Sequence, residues 1–539
     1  MAPPFGVPEA VGSRRNGGEL VALALVRHGV KQVFALGGGH INPTWYALEP
    51  LGVKRLDVRH EAAAAHAAEG WAIATGEPGV CLVTAGPGAT NAVTGVATAQ
   101  LDGTPLLCIA GASSVGGAQT GEVQEMSQLE LFRPITKWAE RAIEVDRLPE
   151  YVALALRAAT SGRPGVAYLE IPIDVIHSTA DVERVRFPEP LERDALRVAP
   201  NPDQITRAAR LVAQAERPVI VAGSGVRWSG AEGELLRLVE RSGIPVVTRQ
   251  AGRGAVSDEH PLSLGVHWER VVPRADLLLV VGSRFNYFFG YGRFPAVKNI
   301  IQIDVEPGEL GRPAVPLSLG IVADAKLALA ALAAEVAPGR HDAWVASLRE
   351  ELASIEAELR QTARSDARPI HPLRVAHEVA EVAGPDAILV PDGSNNMIWT
   401  SAAFRARRTG QVFSMGPLGT LGVGSGWAIG AACARPGTPV AWVVGDGSFG
   451  FNCMELDTAA RFHIPLVAVV MNNLGWSTPW IPLGMRHYER LAPGFDAGGE
   501  LVEEPGALRP ALERAFAAGK PYIVNVVVEA AAEYFAGRR

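Results

Sequence analysis

Short runs of consecutive apolar residues recur along the chain, each followed by a longer stretch of helical character. In the first third these runs fall at 32–36, 79–84, 106–110 and 165–171, with helix-forming stretches at 17–26, 43–48 and the Ala-rich 62–74. Runs that do not alternate polar with apolar are strands covered on both faces, and strands separated by helices form parallel sheets. Residues 1–16 lack such a pattern and read as a loose tail, while 177–200, rich in mixed charge and proline, reads as a connector. A second set of strands is expected at 218–222, 244–248, 277–281 and 300–305, followed by a charged helix at 343–368. A third set is expected at 387–390, 412–415, 441–444, 466–471 and 521–528. The fold class is α/β, with three doubly wound domains at 1–180, 190–340 and 365–539.

Composition narrows the function. With 48% hydrophobic and 20% charged residues among 539, the chain reads as a soluble globular protein with sizeable cores. A net charge of −7 without a basic stripe argues against nucleic acid. The longest apolar runs, such as 464–471, are too short for a bilayer, and 1–15 lacks a signal-peptide core. Cys81, Cys108, Cys433 and Cys453 form no CxxC and read as buried free thiols. A cytoplasmic protein acting on a small molecule is the expectation, with neither nucleic-acid nor membrane partner.

The chemistry concentrates in 441–473, where a strand runs into Gly445-Asp446-Gly447-Ser448, a helix follows, and a second strand ends in Asn472-Asn473. In such a βαβ unit Asp446 and Asn473, 27 positions apart (473 − 446), leave the sheet at the same edge, where ligands sit. A carboxylate, an amide oxygen and bare glycine backbone suit a hard cation bridging to a diphosphate. A lone GDG also makes ordinary turns. GDGS with its spaced Asn pair is more specific, and it resembles the thiamine diphosphate (ThDP) motif of the superfamily of acetolactate synthase, pyruvate decarboxylase and benzaldehyde lyase. The resemblance implies Mg²⁺ held by the side chains of Asp446 and Asn473 and by the carbonyl of Gly475, with Gly445, Gly447 and Ser448 about the diphosphate.

A second stretch extends the likeness. RHEAAAAHAAEGWA followed by GPGATN is similar to the cofactor-activating segment of that superfamily, so the likeness covers nearly the whole chain. It implies pyrimidine-binding, central Rossmann-like and diphosphate-binding domains in that order. By the residues alone, Glu61 could simply favour a helix dipole. By resemblance it donates a proton to the pyrimidine N1′, so that the cofactor's 4′-amino group can take the C2 proton. In Gly419-Thr420-Leu421-Gly422, the same likeness gives Gly419 the 4′-amine and makes Leu421 the wedge under a V-shaped cofactor. Ser394, Asn395 and Asn396 follow a strand and suit the diphosphate; an Asx turn is the alternative. The family pairs Glu61 with the diphosphate domain of another subunit, which implies at least a homodimer, with homotetramers common.

The reaction is read from further stretches. GGELVALALVRHGVKQVFALGGGHI, VTAGPGATNAVT and PITKWAER are similar to benzaldehyde lyase and place His40 and Gln124, beside Gly39, on its active-site His and Gln. The alternatives are a helix cap for His40 and a loop amide for Gln124. VVGSRFNYFFGYG with IIQIDVEPGELG resembles the 2-hydroxyacyl-CoA lyase pattern, implying CoA or ADP near Arg284, Asp304 and Asp324; an empty nucleotide fold is the alternative. Bound flavin (FAD) would go with the synthase and is the less favoured cofactor. Only 15 positions separate Asn473 from Tyr488, which predicts an abbreviated lid helix, with Thr478, Trp480 and Met485 lining the pocket or merely packing. The expected activity is cleavage or formation of 2-hydroxy carbonyl compounds, of acyloin or 2-hydroxyacyl-CoA type. Acetolactate-synthase-like condensation of 2-keto acids is the alternative. A non-catalytic cofactor-binding homologue is the other class, and the presence of Glu61, Asp446 and Asn473 speaks against it.

Overall fold

The structure, a computed structural model, describes residues 13–477 and 480–530. It divides into two compact units: residues up to 72 with 77–196 and 425–430, and 73–76 with 197–424 and those from 431 onward.

The first unit is built on a six-stranded sheet in the order Lys54–Asp57, Gln32–Leu36, Gly79–Val83, Leu106–Ala112, Val166–Pro172, Trp138–Arg141, every pair parallel. Its interior strands are almost wholly buried, whereas the edge strands KRLD and WAER are short and polar and gave no strand signal in the pattern. On one face the helices Gly17–Arg27 and Leu148–Thr160 close a core of Val21, Leu25, Val33, Leu107, Val152 and Leu169. The loose tail expected at 1–16 is corrected in part. Arg14–Asn16 is a strand antiparallel to Thr179–Asp181, inside the expected connector, and Asn16 closes a reciprocal capping box with Glu19. Residues 1–12 lie outside the described residues.

The second unit carries two five-stranded parallel sheets. One runs Val246–Thr248, Pro218–Ala222, Leu277–Val281, Asn299–Asp304, Leu319–Val322. The other runs Ile388–Asp392, Val440–Gly445, Leu466–Asn472, Tyr522–Val527, Gly498–Val502. The α/β class with three parallel sheets is as expected. The strand expected at 412–415 is not in a sheet: Val412 makes one isolated bridge to Leu389, because the Gln411 side chain holds the Arg407 and Arg408 amides and curls the chain away. The charged helix spans Asp342–Thr362 and stops short of 368, ending at the C-cap Ala363, whose amide donates to the Leu359 carbonyl. The single helix expected after Gly445 is two, Asp446–Asn452 and Glu455–Arg461, with the Asn452 amide turned back onto the Gly422 carbonyl. Among the described residues no helix is long and apolar enough to cross a membrane.

Within the first unit the helix Glu61–Thr75 is buried along most of its length, and its small residues permit backbone-to-backbone contact. A Cβ on Gly70 would stand 2.4 Å from the Trp427 carbonyl oxygen, and one on Gly426 would stand 2.6 Å from the His66 Cβ. Glu69 lies wholly inside this contact, accepting from Trp427 Nε1 (2.8 Å) and Thr104 Oγ1 (3.2 Å). Burial outweighs both bonds and pushes its pKa up to about 7. A raised carboxyl stabilises the fold below its unfolded pKa and loses that contribution as pH rises through about 7. Glu69→Gln, which preserves both contacts, is therefore expected to flatten the fall in Tm between pH 6 and 8, a slope of at most about 1.4 kcal/mol per pH unit. Thermal melts across that range check it, and a wild-type slope in the variant would contradict it.

Candidate active site

In the first unit Glu61 opens its helix directly after the turn that follows Lys54–Asp57 and is 6% exposed. Asn91, from the helix Pro87–Asp102, donates to Glu61 Oε2 at 2.9 Å. The other oxygen, Oε1, would stand 3.5 Å from a Cβ on Gly88, so it faces the first, glycine-bearing turn of that helix. The pattern quoted as GPGATN thus supplies both the gap beside the carboxyl and the amide that orients it.

His40 and Gln124 meet at Thr84, at the end of Gly79–Val83. Thr84 Oγ1 is 3.5 Å from His40 Nδ1 and 3.4 Å from Gln124 Oε1. Bare glycines make this possible: a Cβ on Gly38 would lie 2.5 Å from Thr84, on Gly86 2.8 Å from Gln124, and on Gly111 2.3 Å from His40. Gln124 holds a left-handed backbone, φ 64°, which for a non-glycine residue needs support from its surroundings. Gln128 braces the same floor, accepting from the Gly86 amide and donating to the Gly111 carbonyl and the Tyr168 hydroxyl. His40 does not cap the following helix, whose N-cap is Ile41. Burial, set against the neighbouring Glu122, lowers the His40 pKa and keeps the imidazole neutral near pH 7. Gly39 sits exposed on the adjacent turn, with open space where a Cβ would be.

In the second unit the register Gly445↔Met471 brings Asp446 and Asn473 out of neighbouring parallel strands at one edge. Asp446 is 3% exposed and its Oδ1 accepts from the Gly447 amide at 2.9 Å. Burial raises its pKa to about 6, against the pull of the Gly447, Gly475 and Leu474 amides. Asn472 points inward, bonded to the Arg486 carbonyl and Asn525, while Asn473 is partly exposed beyond it. Gly475 begins a short hairpin, Gly475–Ser477 with Trp480–Pro482, and a 3-10 helix at Tyr488–Phe495 follows in place of a long lid helix. Tyr488 returns to the Asp446 carbonyl at 3.4 Å, and Met485 Sδ rests on the Asn472 amide. Thr478 lies outside the described residues; Trp480 opens the second hairpin strand.

Asp392, which sequence reading left without a role, pins the turn after it in space. Its two oxygens accept from the Gly422 and Gly424 amides at 3.0 and 2.9 Å, a long-range clamp rather than the local Asx turn that was the alternative for this segment. This shapes Gly419 (φ 67°, nothing within 4 Å of a Cβ) and the half-buried Leu421. Asn396 donates to the Asp392 carbonyl and stands 3.1 Å from where a Cβ on Gly445 would be; Gly393 separates it from Ser448. Ser394 and Asn395 are exposed in the first turn of the helix Ser394–Ala403, whose leading amides suit an anion.

These groups fit a divalent cation with a diphosphate. The donors at the sheet edge are one carboxylate, one amide oxygen and a backbone carbonyl, all hard oxygen ligands. Asp446 is buried with its pKa raised to about 6, an environment in which a bound cation would stabilise the ionised carboxylate. A Cβ on Gly447 would stand 2.7 Å from the Trp476 ring. Gly447→Ala is therefore expected to weaken ThDP binding by about tenfold or more through overpacking; a cofactor titration checks it.

In the central sheet, Asp304 ends the strand Asn299–Asp304 and holds the Glu306 amide. Asp324 caps the helix Ala325–Glu335 and pairs with Arg197 at 2.8 Å and with Ser229, contacts that occupy both of its oxygens in holding the fold. Arg284 follows Leu277–Val281 and the Gly282 turn in the same sheet.

Comparison with known proteins identifies the family. Residues 15–131 match the thiamine pyrophosphate enzyme N-terminal TPP binding domain, 205–332 the central domain, and 392–480 the C-terminal TPP binding domain. The chain is 35% identical to a probable acetolactate synthase of Mycobacterium bovis, over 96% of this chain and 97% of the relative. It is 35% identical to a probable acetolactate synthase large subunit of Methanocaldococcus jannaschii, over 96% and 92%. It is 32% identical to a 2-hydroxyacyl-CoA lyase of Arabidopsis thaliana, over 97% of each. With all three domains matched in order and relatives of 32–35% identity aligned over nearly the whole chain, the chain belongs to the thiamine-diphosphate-dependent enzymes.

Proposed function

We propose that the protein is a ThDP- and Mg²⁺-dependent carbon–carbon lyase and carboligase acting on 2-hydroxy carbonyl compounds, of acyloin or 2-hydroxyacyl-CoA type. The observation that carries this reading is the convergence of His40, Gln124 and Thr84 at one strand end. These are three neutral groups, an imidazole, an amide and a hydroxyl, suited to moving a proton at an uncharged carbinol oxygen. When bound, ThDP supplies the carbanion equivalent that adds to and departs from the carbonyl carbon. Glu61, held by Asn91, carries a proton at the edge of the glycine turn. His40 takes the carbinol proton during cleavage and returns it during ligation, with Thr84 and Gln124 fixing the imidazole and the oxygen. Asp446, Asn473 and the Gly475 carbonyl hold the cation, and the first turn of Ser394–Ala403 receives the diphosphate. The working assembly in this reading is a homodimer or homotetramer in the cytoplasm.

His40→Ala is expected to lower the cleavage kcat by about 10²-fold or more while ThDP affinity stays unchanged. Steady-state kinetics on benzoin and a 2-hydroxyacyl-CoA, beside a cofactor titration, check this; an unaffected kcat would remove His40 from the chemistry. One observation favours a second reading, acetolactate-synthase-like condensation of 2-keto acids: the relatives at 35% identity carry that name.

A further inference from the structure

A cavity of about 220 Å³ opens in the second unit, lined by residues of the central domain, the helix Asp342–Thr362 and the segment 401–405. Its polar lining is unbalanced. Arg253, Arg349, Arg360 and Arg405 face it against only Asp258 and Glu356. His267, also in the lining, is kept neutral by burial and adds no charge.

The floor is Arg253, 5% exposed. Its Nη2 donates to Asp258 Oδ2 (3.0 Å) and to the carbonyls of Ser401 (3.1 Å) and Phe404 (2.6 Å). Its Nε and Nη1 are buried without a hydrogen-bond partner among the described residues, as is Asp258 Oδ1. Leaving donors of a buried guanidinium unmet costs more than leaving a neutral group unmet, so such atoms point to an acceptor. At the mouth one carboxylate, Glu356, lies 3.4 Å from Arg360 and 3.6 Å from Arg405, two cations sharing one anion. Arg349 Nη2 ties down the His260, Pro261 and Ser263 carbonyls and shapes the wall. Water could meet the orphaned donors but would leave the excess charge of the lining uncompensated. An oxyanion meets both needs, and guanidinium forks bind carboxylate and phosphate well. The volume is that of about seven waters, so a small molecule fits.

We propose that this cavity is a binding site for a small oxyanion, a carboxylate or a phosphate, held by Arg253 at the floor and by Arg360 and Arg405 at the mouth. Arg253 also grips the C-terminal end of the helix Ser394–Ala403, whose first turn faces the diphosphate in the function proposed above. Occupancy of the cavity therefore changes ThDP affinity; this consequence, unlike the site itself, rests on the ThDP reading.

The test uses the full chain loaded with ThDP and Mg²⁺, which keeps phosphate out of the diphosphate site. Inorganic phosphate and malonate are titrated separately against NaCl of equal ionic strength, with Tm as readout. The site predicts a saturable rise in Tm with at least one probe and none with NaCl, and the two arms tell phosphate from carboxylate preference. Arg253→Gln should abolish the rise. Should that variant fold poorly, Arg405→Gln, whose side chain is 60% exposed, should still raise the half-saturating concentration several-fold. A rise matched by NaCl, or one unchanged in Arg405→Gln, overturns the site. ThDP titrations with and without saturating anion should differ severalfold in the wild type and not in Arg405→Gln at the same anion concentration; equal affinities in the wild type, or the same difference in the variant, overturn the coupling, whereas failure of ThDP to bind in either would instead count against the function.

Discussion

Glu61→Gln is expected to lose about 10²- to 10⁴-fold in turnover while still binding ThDP and Mg²⁺. The residue sits 6% exposed at the head of its helix with Asn91 on one oxygen and the Gly88 gap beside the other. Glutamine keeps the shape and can still accept from Asn91, so the site should not collapse. What it removes is a group able to give and regain a proton, a loss that falls on kcat more than on binding. Because Asn91 orients the carboxyl without exchanging its proton, Asn91→Ala should cost less than Glu61→Gln. Single-turnover rates beside cofactor titrations separate the two effects; loss of ThDP affinity equal to the loss of rate would make Glu61 a binding residue only.

Asp446→Asn should do the opposite to stability and to cofactor binding. The Asp446 pKa is raised from 3.8 to about 6, so the stability contributed by its neutral form is full below 3.8 and is lost as pH rises through about 6. At pH 8 the apoprotein therefore holds a buried anion with too little compensation, and asparagine relieves it. The variant is expected to melt higher than the wild type as apoprotein at pH 8. The large Tm increase that Mg²⁺ and ThDP give the wild type should vanish in the variant. Protons compete with the cation for the same carboxylate, so wild-type Mg²⁺ affinity should fall as pH drops below about 6, by up to tenfold per unit. Melts at pH 5 and 8, with and without Mg²⁺ and ThDP, check each sign. An apoprotein less stable than wild type at pH 8 would mean that the neighbouring amides, not burial, govern the residue. Such a trade of stability for ligand binding is common at functional sites.

The interior of all three sheets was legible because strands covered on both faces need no alternation, and runs such as Leu277–Val281 have no polar residue to confuse the pattern. The edges were not. Lys54–Asp57, Trp138–Arg141 and Gly498–Val502 are half wet, short and charged or glycine-rich, as edge strands commonly are. The reverse error at 412–415 arose because an apolar run beside Leu389 is buried yet makes only one bridge. Motifs pointed to Glu61, Asp446 and Asn473, and the structure puts Glu61 and Asp446 at the heads of helices and Asn473 just past a strand end, before a hairpin. The residues that support them were hidden by distance along the chain. Asp392 clamps amides 30 and 32 positions away, and Thr84 meets His40 across 44. Only Asn91 carried a local signal, as the last residue of GPGATN, about one helical turn from the glycines it accompanies.

Product analysis of the ThDP- and Mg²⁺-loaded protein decides between lyase and synthase. Benzoin, a 2-hydroxyacyl-CoA and pyruvate are supplied in parallel, with Glu61→Gln as control. Cleavage of benzoin or the 2-hydroxyacyl-CoA to an aldehyde, lost in the variant, is the predicted result. Acetolactate from pyruvate with both hydroxy compounds untouched would contradict the lyase reading and establish the synthase in its place.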